Sequence, residues 1–236
     1  MTPFEAAWKR RFEKFAAART DAAIAGWSET GLETRVRYFL QFWSRPAYGR
    51  WLDVGCGAGT YSQILAKYHL DTIGVDYSVP TLIKAKTRYS KGIEWGAANV
   101  YQLPFKAQSF DGVLCFGVLQ AISDEITALH ELRRVSKEKS EVWVDGLNKW
   151  CIIHWRHLLA EKFSKRTSHL HYLSPFSLTR DLSGATTYWL PILPRRLSFL
   201  QRLFYQPMVL RLWQRLSWLT RFLSHSFLIR IDSGYV

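Results

Sequence analysis

The sequence predicts an α/β fold in which a mostly parallel sheet carries helices on both faces. Residues 51–54, Trp-Leu-Asp-Val, have the apolar and partly β-branched character of a buried parallel strand. Residues 55–59, with glycine at alternate positions, follow that strand directly and precede a helix-like segment. Strand-like and helix-like segments then alternate to about residue 146, as is typical of parallel strands joined by helices.

The alternate glycines, Gly55, Gly57 and Gly59, indicate a tight turn that a ligand can approach closely. The helix that follows, from about Thr60 to His69, offers unpaired N–H groups in its first turn. The turn is therefore predicted to hold a carboxylate or phosphate group of a cofactor.

An acidic residue ends the second predicted strand, which reads Asp71-Thr-Ile-Gly-Val-Asp-Tyr77. Asp76 comes 17 residues after Gly59, and an acid in this place can accept hydrogen bonds from ribose hydroxyl groups. The glycine spacing is G-x-G-x-G, whereas dinucleotide-binding folds use G-x-G-x-x-G. The turn and the acid together predict one cofactor site.

Two later segments extend this pattern in the same order along the chain. Asn99-Val-Tyr-Gln-Leu-Pro-Phe105 is similar to a D-A-x-x-L-P-F motif, with Asn99 in place of Asp, and residues 109–113 read S-F-D-G-V. With these motifs, about Trp51 to Leu147 resembles the class I S-adenosylmethionine (SAM)-dependent methyltransferases. The similarity is to the broad group that includes the ubiquinone and menaquinone biosynthesis methyltransferases. The alternative is another nucleotide-binding α/β domain or an inactive relative.

The resemblance implies that SAM is the cofactor and S-adenosylhomocysteine the product. Asp76 would bind the ribose, the Asn99 side-chain oxygen would accept from the adenine amino group, and the Val100 backbone would pair with the adenine ring. Asp53 would anchor the turn or bind the methionine amino group. The candidate cofactor-binding residues are Asp53, Gly55, Cys56, Gly57, Gly59, Asp76, Tyr77, Asn99, Val100, Phe116, Gly117 and Gln120.

The sequence of residues 1–48 predicts N-terminal helices that could form a lid over the cofactor. The helix expected at 3–19 places Phe4, Trp8, Phe12 and Phe15 at helical spacing, for packing on the domain or for contact with a membrane. A second helix is expected to be capped by Thr30 and to end near Trp43. The candidate lid residues are Trp27, Arg35, Arg37 and Tyr38.

Residues 49–236 are expected to form one methyltransferase domain with seven strands. Five strands are predicted near 50–54, 72–76, 93–97, 110–116 and 140–146, with helices near 60–69, 79–90 and 124–137. A helix is then expected at 148–163, a short helix at 175–182 and a sixth strand at 186–193. The resemblance implies a seventh, antiparallel strand, for which 227–231 is the best candidate, so that 194–225 would be an insertion.

The predicted insertion combines arginines and aromatic residues without any acid. It contains Arg195, Arg196, Arg202, Arg211, Arg215, Arg221, Phe199, Phe204, Tyr205, Trp213, Trp218 and Phe222. One interpretation is a hairpin, broken at Pro207, that buries the leucines at 212, 216, 219 and 223 while the arginines extend to water. The favoured interpretation is a helix lying on an anionic membrane, and contact with nucleic acid is the third.

Methyl transfer requires a positioned acceptor and, for a hydroxyl acceptor, a base that removes the proton. The candidates follow the fourth and fifth strands, and the preferred pair is His171 with Tyr172. The other histidines considered are His154, His157 and His169. No cysteine–histidine cluster has the spacing of a zinc site, and no metal is implied.

The net charge of +13 lies outside the central region, because residues 51–148 contain ten basic and eleven acidic residues. Basic flanks indicate an anionic membrane or a nucleic acid as partner. The first hypothesis is O-methylation of a small, hydrophobic or lipid-linked acceptor at a membrane surface. The second is an RNA methyltransferase, although residues 115–120 lack the Asn/Asp-Pro-Pro-Tyr/Phe motif of amino-directed nucleic-acid enzymes. The third is a non-catalytic regulatory partner.

The sequence predicts a cytoplasmic protein. Its three cysteines are dispersed, and it has no apolar stretch long enough for a signal peptide or a transmembrane helix. It would be peripheral on the inner face of the membrane, and its oligomeric state is left open.

Overall fold

A computed structural model describes residues 2–15, 20–24, 27–46, 48–89, 91–155, 171–180, 182–193 and 195–232. Within these residues one mixed sheet has eight strands, whereas seven were predicted. The strands are β1 (Arg50–Val54), β2 (Asp71–Asp76), β3 (Ile93–Ala97), β4 (Phe110–Cys115), β5 (Ser136–Asn148), β6 (Tyr172–Leu173), β7 (Ala185–Leu190) and β8 (Ser226–Asp232). The additional strand is β6, a two-residue segment that pairs with the end of β5.

The strand order is β3-β2-β1-β4-β5-β8-β7, with β6 beside β5 and off this path. β1 to β5 are parallel to one another, and β8 runs antiparallel between β5 and β7. The chain reverses its direction across the sheet between β1 and β4. Parallel sheets bind ligands beside the carboxyl ends of the strands at such a reversal.

The helices cover both faces of the sheet. They are α1 (Pro3–Phe15), α2 (Asp21–Ile24), α3 (Glu29–Phe42), α4 (Thr60–Lys67), α5 (Val79–Arg88), α6 (Glu125–Val135), α7 (Pro175–Thr179), α8 (Pro207–Arg215) and α9 (Ser217–Leu223). Short 3₁₀ segments occupy Leu119–Ala121 and Arg195–Tyr205. A further helical segment is described at 152–155, and 156–170 lie outside the described residues.

Two predicted helix starts are wrong. Helix α3 is capped by Ser28 and not by Thr30, because the Ser28 hydroxyl oxygen accepts the Gly31 N–H at 3.1 Å. Asn148 ends β5 instead of starting a helix, and its side-chain amide donates to the carbonyl oxygens of Arg221 and Ser224.

Helix α3 packs into the core on one face of the sheet. Phe39 is fully buried and contacts Trp43 and Trp143, with ring centroids 5.1 and 5.5 Å apart. Tyr38 is also buried and accepts a hydrogen bond from Gln201, whereas Arg37 is exposed and pairs with Glu33. The side of α3 that faces the sheet is therefore a fixed part of the fold.

The helical segment at 195–223 connects β7 to β8. It packs through the buried residues Leu210 and Thr220 and through Trp213, which contacts the core. The leucines at 212, 216, 219 and 223 are 40% to 57% exposed, so the interpretation that a hairpin buries them is wrong. In the described ranges no helix is both long and apolar enough to cross a membrane.

Candidate functional site

A cavity of about 370 Å³ lies at the carboxyl edge of the sheet. Its walls come from the turn after β1, the end of β2, the loops after β3 and β4, and the N-terminal helices. Of the predicted cofactor residues, those that line it are Gly55, Cys56, Gly57, Asp76, Tyr77, Asn99, Val100, Phe116 and Gly117.

The turn after β1 has the backbone geometry that the glycine pattern predicts. Gly55, Gly57 and Gly59 all have positive φ angles, of 70°, 52° and 84°. A Cβ atom on Gly55 would lie 2.1 Å from the Val118 side chain, and one on Gly59 would lie 2.6 Å from Trp95. These two positions therefore require glycine for space as well as for conformation.

Asp76 links the end of β2 to the turn. Its Oδ2 atom accepts the Gly57 N–H at 3.0 Å, and its Oδ1 atom accepts the Ser78 N–H at 2.8 Å. Burial raises the pKa of Asp76, while these two hydrogen bonds favour the carboxylate. The carboxylate oxygens retain acceptor capacity toward the cavity, which suits the hydroxyl groups of a ribose.

Asp53 lies outside the described lining of the cavity. It is buried, and its Oδ2 atom accepts the hydroxyl of Ser62 in α4 at 2.6 Å. This hydrogen bond joins β1 to α4 across the glycine turn, and the two predicted roles of Asp53, anchoring the turn or binding the methionine amino group, stay predictions. Burial raises the pKa of Asp53 to about 7, although the hydrogen bonds from Ser62 oppose this shift.

This raised pKa predicts a pH-dependent effect of Asp53→Asn on stability. Between pH 4 and 7 the folded protein holds a proton that the unfolded chain has lost, so this group lowers stability as the pH rises. The amide can still accept from Ser62. We therefore expect the melting temperature of Asp53→Asn, relative to that of the wild type, to be higher at pH 8 than at pH 5. Asp111→Asn, at a half-exposed acid whose pKa is lowered, should show no such trend. An equal difference at both pH values for Asp53→Asn would contradict the assignment.

The loop after β3 supplies Asn99, Val100 and Tyr101 to the cavity wall. The Asn99 side-chain oxygen accepts the Tyr101 N–H at 3.1 Å, which orients the side chain. A carbonyl oxygen has a second lone pair, so it can still accept from an adenine amino group. On the other side, Tyr77 contacts Phe12 of α1, with ring centroids 6.2 Å apart.

Gln120 is buried away from the described cavity lining, unlike Phe116 and Gly117. Its backbone carbonyl accepts the His171 N–H at 3.1 Å. Its side-chain oxygen has no hydrogen-bond partner within the part of the chain that the structure describes. Contact between Gln120 and the cofactor thus stays a prediction without geometric support.

Of the predicted catalytic residues, the three that the structure describes lie outside the cavity lining. His154 is buried, with Nδ1 2.7 Å from the Asn148 carbonyl oxygen, and its ring packs against Tyr172 and His225. The His171 side chain is 42% exposed, with Nδ1 4.0 Å from Glu125. His154, His171 and Tyr172 are all absent from the described lining. His157 and His169 lie outside the described residues.

The N-terminal helices contribute polar residues to the cavity wall that were not predicted. Glu5 accepts hydrogen bonds from the hydroxyl groups of Tyr101 and Ser123, at 2.6 and 2.7 Å. Asp21 accepts from Thr60 at 2.9 Å and pairs with Arg88. These contacts attach α1 and α2 to the cofactor side of the sheet, although a role as a moving lid stays a prediction.

Two lid candidates and one unpredicted acid form a cluster at the cavity wall, in which the acid and the arginine are buried. Arg35 lies 3.5 Å from Asp145 of β5, and Trp27 stacks 3.7 Å from the Arg35 guanidinium. The sequence signal for Asp145 was an acid inside an otherwise apolar strand, Val142-Trp-Val-Asp-Gly146.

Comparison with known proteins agrees with the fold. Residues 52–144 match the family described as "Methyltransferase domain". A relative from Bos taurus named "Probable tRNA methyltransferase 9B" is 35% identical over 104 residues, which are 43% of this chain and 21% of the relative. The 2-phytyl-1,4-beta-naphthoquinone methyltransferase of Arabidopsis thaliana is 33% identical over 118 residues, 45% of each protein.

A solved methyltransferase shares the fold over almost its whole length. It was determined in complex with the Haloferax volcanii Trm112 methyltransferase activator, and it superposes with a TM-score of 0.65 at 15% identity, covering 95% of this chain and 98% of that one. The matches to curated relatives span less than half of each relative's length. The domain match, the fold and the glycine turn with Asp76 agree: residues 52–144 carry a methyltransferase domain, which supports a class I SAM-dependent methyltransferase.

Proposed function

We propose that this protein transfers a methyl group from SAM to an oxygen of a small, hydrophobic or lipid-linked acceptor at an anionic membrane surface. The observation that carries the proposal is the exposed apolar surface of residues 199–223, which lies beside exposed arginines. We call this surface the apolar face.

The apolar face exposes more large side chains than a helix packed on its own domain requires. Phe199 is 70% exposed, Met208 80% and Trp218 67%. Single exposed apolar residues are ordinary, but a cluster of this kind marks an interaction surface.

The charge of the same segment favours an anionic bilayer as the occupant. Arg202, Arg211 and Arg215 are exposed, and residues 195–225 contain no acid. Each basic side chain near an anionic leaflet contributes about 1 kcal/mol, and the insertion of Trp and Phe adds to this. The chemistry of the face therefore matches the interfacial region of a membrane.

The apolar face also contacts the cavity wall through α3. The Tyr205 hydroxyl lies 2.9 Å from the Thr34 hydroxyl, and the Tyr205 carbonyl accepts from Gln41 at 2.7 Å. Thr34 adjoins Arg35, which lines the cavity. An acceptor in the membrane would thus lie close to the cavity wall when the apolar face is docked. The Arabidopsis relative, named for a phytyl naphthoquinone, supports an acceptor with a lipid-like tail.

Liposome flotation tests this proposal. We expect binding to vesicles that contain phosphatidylserine and weaker binding to vesicles of phosphatidylcholine alone. Trp218→Ser with Met208→Ser should reduce binding about tenfold or more, because two exposed apolar side chains no longer insert. Tyr48→Ser is the matched control, since Tyr48 is 85% exposed but lies outside the apolar face. If the double variant floats as well as the wild type, the apolar face does not dock on the membrane.

An RNA methyltransferase is the second candidate. The net charge of +13 and the relative named "Probable tRNA methyltransferase 9B" favour it. RNA binding would use the same arginines but would stack bases on the aromatic rings. A protein that ignores anionic vesicles and shifts tRNA at physiological salt would support this candidate in place of the first.

A further inference from the structure

A buried polar pair interrupts the apolar wall of the cavity beyond the cofactor residues. Arg35 and Asp145 both line the cavity, and their side chains are only 4% and 2% exposed. Asp145 stands at the carboxyl half of β5, and Gly117 after β4 donates its N–H to Asp145 Oδ1 at 2.6 Å. The pair therefore lies where the ends of β4 and β5 meet the cavity.

Within the pair, Arg35 Nε takes part in the ion pair with Asp145 but makes no hydrogen bond in the described ranges. Arg35 Nη2 donates to Ser226 Oγ at 2.8 Å, and Nη1 donates to the Gly31 carbonyl at 3.4 Å. Arg35 Nε is buried without a hydrogen-bond partner within the described ranges, and Asp145 Oδ2 is 3.5 Å from it. Buried polar atoms normally form hydrogen bonds, so an ion pair this long at the cavity wall leaves room for a ligand oxygen that bridges the two atoms.

The chemistry of the pair selects a neutral hydroxyl group. A hydroxyl can accept from Arg35 Nε and donate to Asp145 Oδ2 at the same time. A carboxylate ligand would be repelled by Asp145, and an ammonium ligand would be repelled by Arg35. Aromatic side chains flank the site, since Trp27 covers the guanidinium and the Tyr61 and Phe116 rings lie 4.7 Å apart.

We propose that Arg35 and Asp145 form the acceptor subsite, in which Asp145 takes the proton of a hydroxyl on a flat, apolar acceptor. This inference rests on the proposed function, because it assigns the residues that receive the acceptor. Arg35 holds the acceptor oxygen. As that oxygen bonds to the methyl carbon, the methyl–sulfur bond of SAM breaks, its electron pair stays on sulfur, and the proton passes to the carboxylate. No histidine is required.

The surroundings of Asp145 suit a base. Burial raises the pKa of Asp145, and the positive charge of Arg35 opposes that shift. The other titratable groups facing it are Tyr61 of α4 and Cys115 of β4, whose own pKa values are raised by burial and by the Asp145 charge. A carboxylate with a raised pKa is a stronger base, and its activity should rise with pH as it loses its proton.

The experiment compares Asp145→Asn with the wild type on 4-hexylphenol as probe acceptor. Tritiated SAM reports methyl transfer, and calorimetry reports the binding of S-adenosylhomocysteine and then of the phenol. We expect kcat to fall about 10²–10⁴-fold and the pH dependence of kcat to flatten. Phenol affinity should fall about tenfold, and S-adenosylhomocysteine affinity should not change.

Glu141→Gln is the matched control, since Glu141 lies on the same strand, is partly buried and is absent from the described lining. Asp145→Glu, which keeps a carboxylate, should recover part of kcat. The proposal is overturned if Asp145→Asn keeps both kcat and phenol affinity. It is also overturned if the variant loses S-adenosylhomocysteine binding together with kcat, because that loss indicates a structural role for Asp145. A wild type that binds S-adenosylhomocysteine but neither binds nor methylates the phenol contradicts the proposed function itself, and this inference with it.

Discussion

Replacing Asp76 by Ala should weaken SAM binding by about 2–3 kcal/mol, or roughly 30- to 150-fold, because hydrogen bonds to a charged acceptor are among the stronger ones. The variant loses the acceptor for the ribose hydroxyl groups. It also leaves the Gly57 and Ser78 N–H groups without the acceptor they now use. Isothermal titration with SAM measures the loss directly.

Asp71→Ala provides the matched control for Asp76→Ala. Asp71 begins the same strand, is exposed, and pairs with Arg50 at 3.3 Å on the edge of the sheet away from the cavity. An exposed pair of this kind contributes about 0–1 kcal/mol to stability, and its loss should leave SAM affinity unchanged. Equal affinities of the Asp76 variant and the wild type would remove Asp76 from the cofactor site.

Gly55→Ala should reduce both stability and SAM binding. The new Cβ atom would lie 2.1 Å from Val118 Cγ2, and the φ angle of 70° is unfavourable for any residue with a side chain. Overpacking of this kind costs about 1–3 kcal/mol in unfolding free energy. Relief of the clash would displace either the turn or the loop after β4, and both line the cavity. Thermal unfolding and SAM titration report the two effects.

Gly96→Ala is the corresponding control. Gly96 lies in β3, outside the described cavity lining, and a Cβ atom there would make an ordinary contact of 3.8 Å. We expect this variant to change neither SAM affinity nor the melting temperature by as much as Gly55→Ala does. If the two variants have the same SAM affinity and melting temperature, the turn does not make the tight contact between Gly55 and Val118.

The glycine turn and the acid beside the cavity were predictable from sequence because local chemistry defines them. Alternate glycines specify a turn with positive φ angles, and an acid at the end of a strand specifies a side chain at the sheet edge. Gly55 and Asp76 both line the cavity for these local reasons. The first five strands follow from the same apolar patterning.

The acceptor half was not predictable, because it is assembled from distant segments. Arg35 and Asp145 are 110 positions apart and meet only when α3 packs on the sheet beside β5. For the histidines, a residue type suited to catalysis does not define where its ring points. His154 instead packs between Tyr172 and His225.

The short strand β6 was missed for a related reason. Tyr172 and Leu173 are too few to show a period in the sequence, and only their pairing with Leu147 and Asn148 makes them a strand. The sequence also did not show that Leu212 and Leu216 are exposed. Their spacing fits one apolar stripe along one helix, whereas the segment forms two separate helices, α8 and α9, and the leucines do not form one continuous stripe.

The most direct test of the central claim is to incubate the protein with tritiated SAM, total membrane lipid and total tRNA, and then to separate organic-soluble label from RNA-bound label. We expect label in the organic phase, which Asp76→Ala should reduce strongly and Asp71→Ala should retain. Label that appears only in the RNA, or in neither fraction, would contradict methylation of a hydrophobic acceptor.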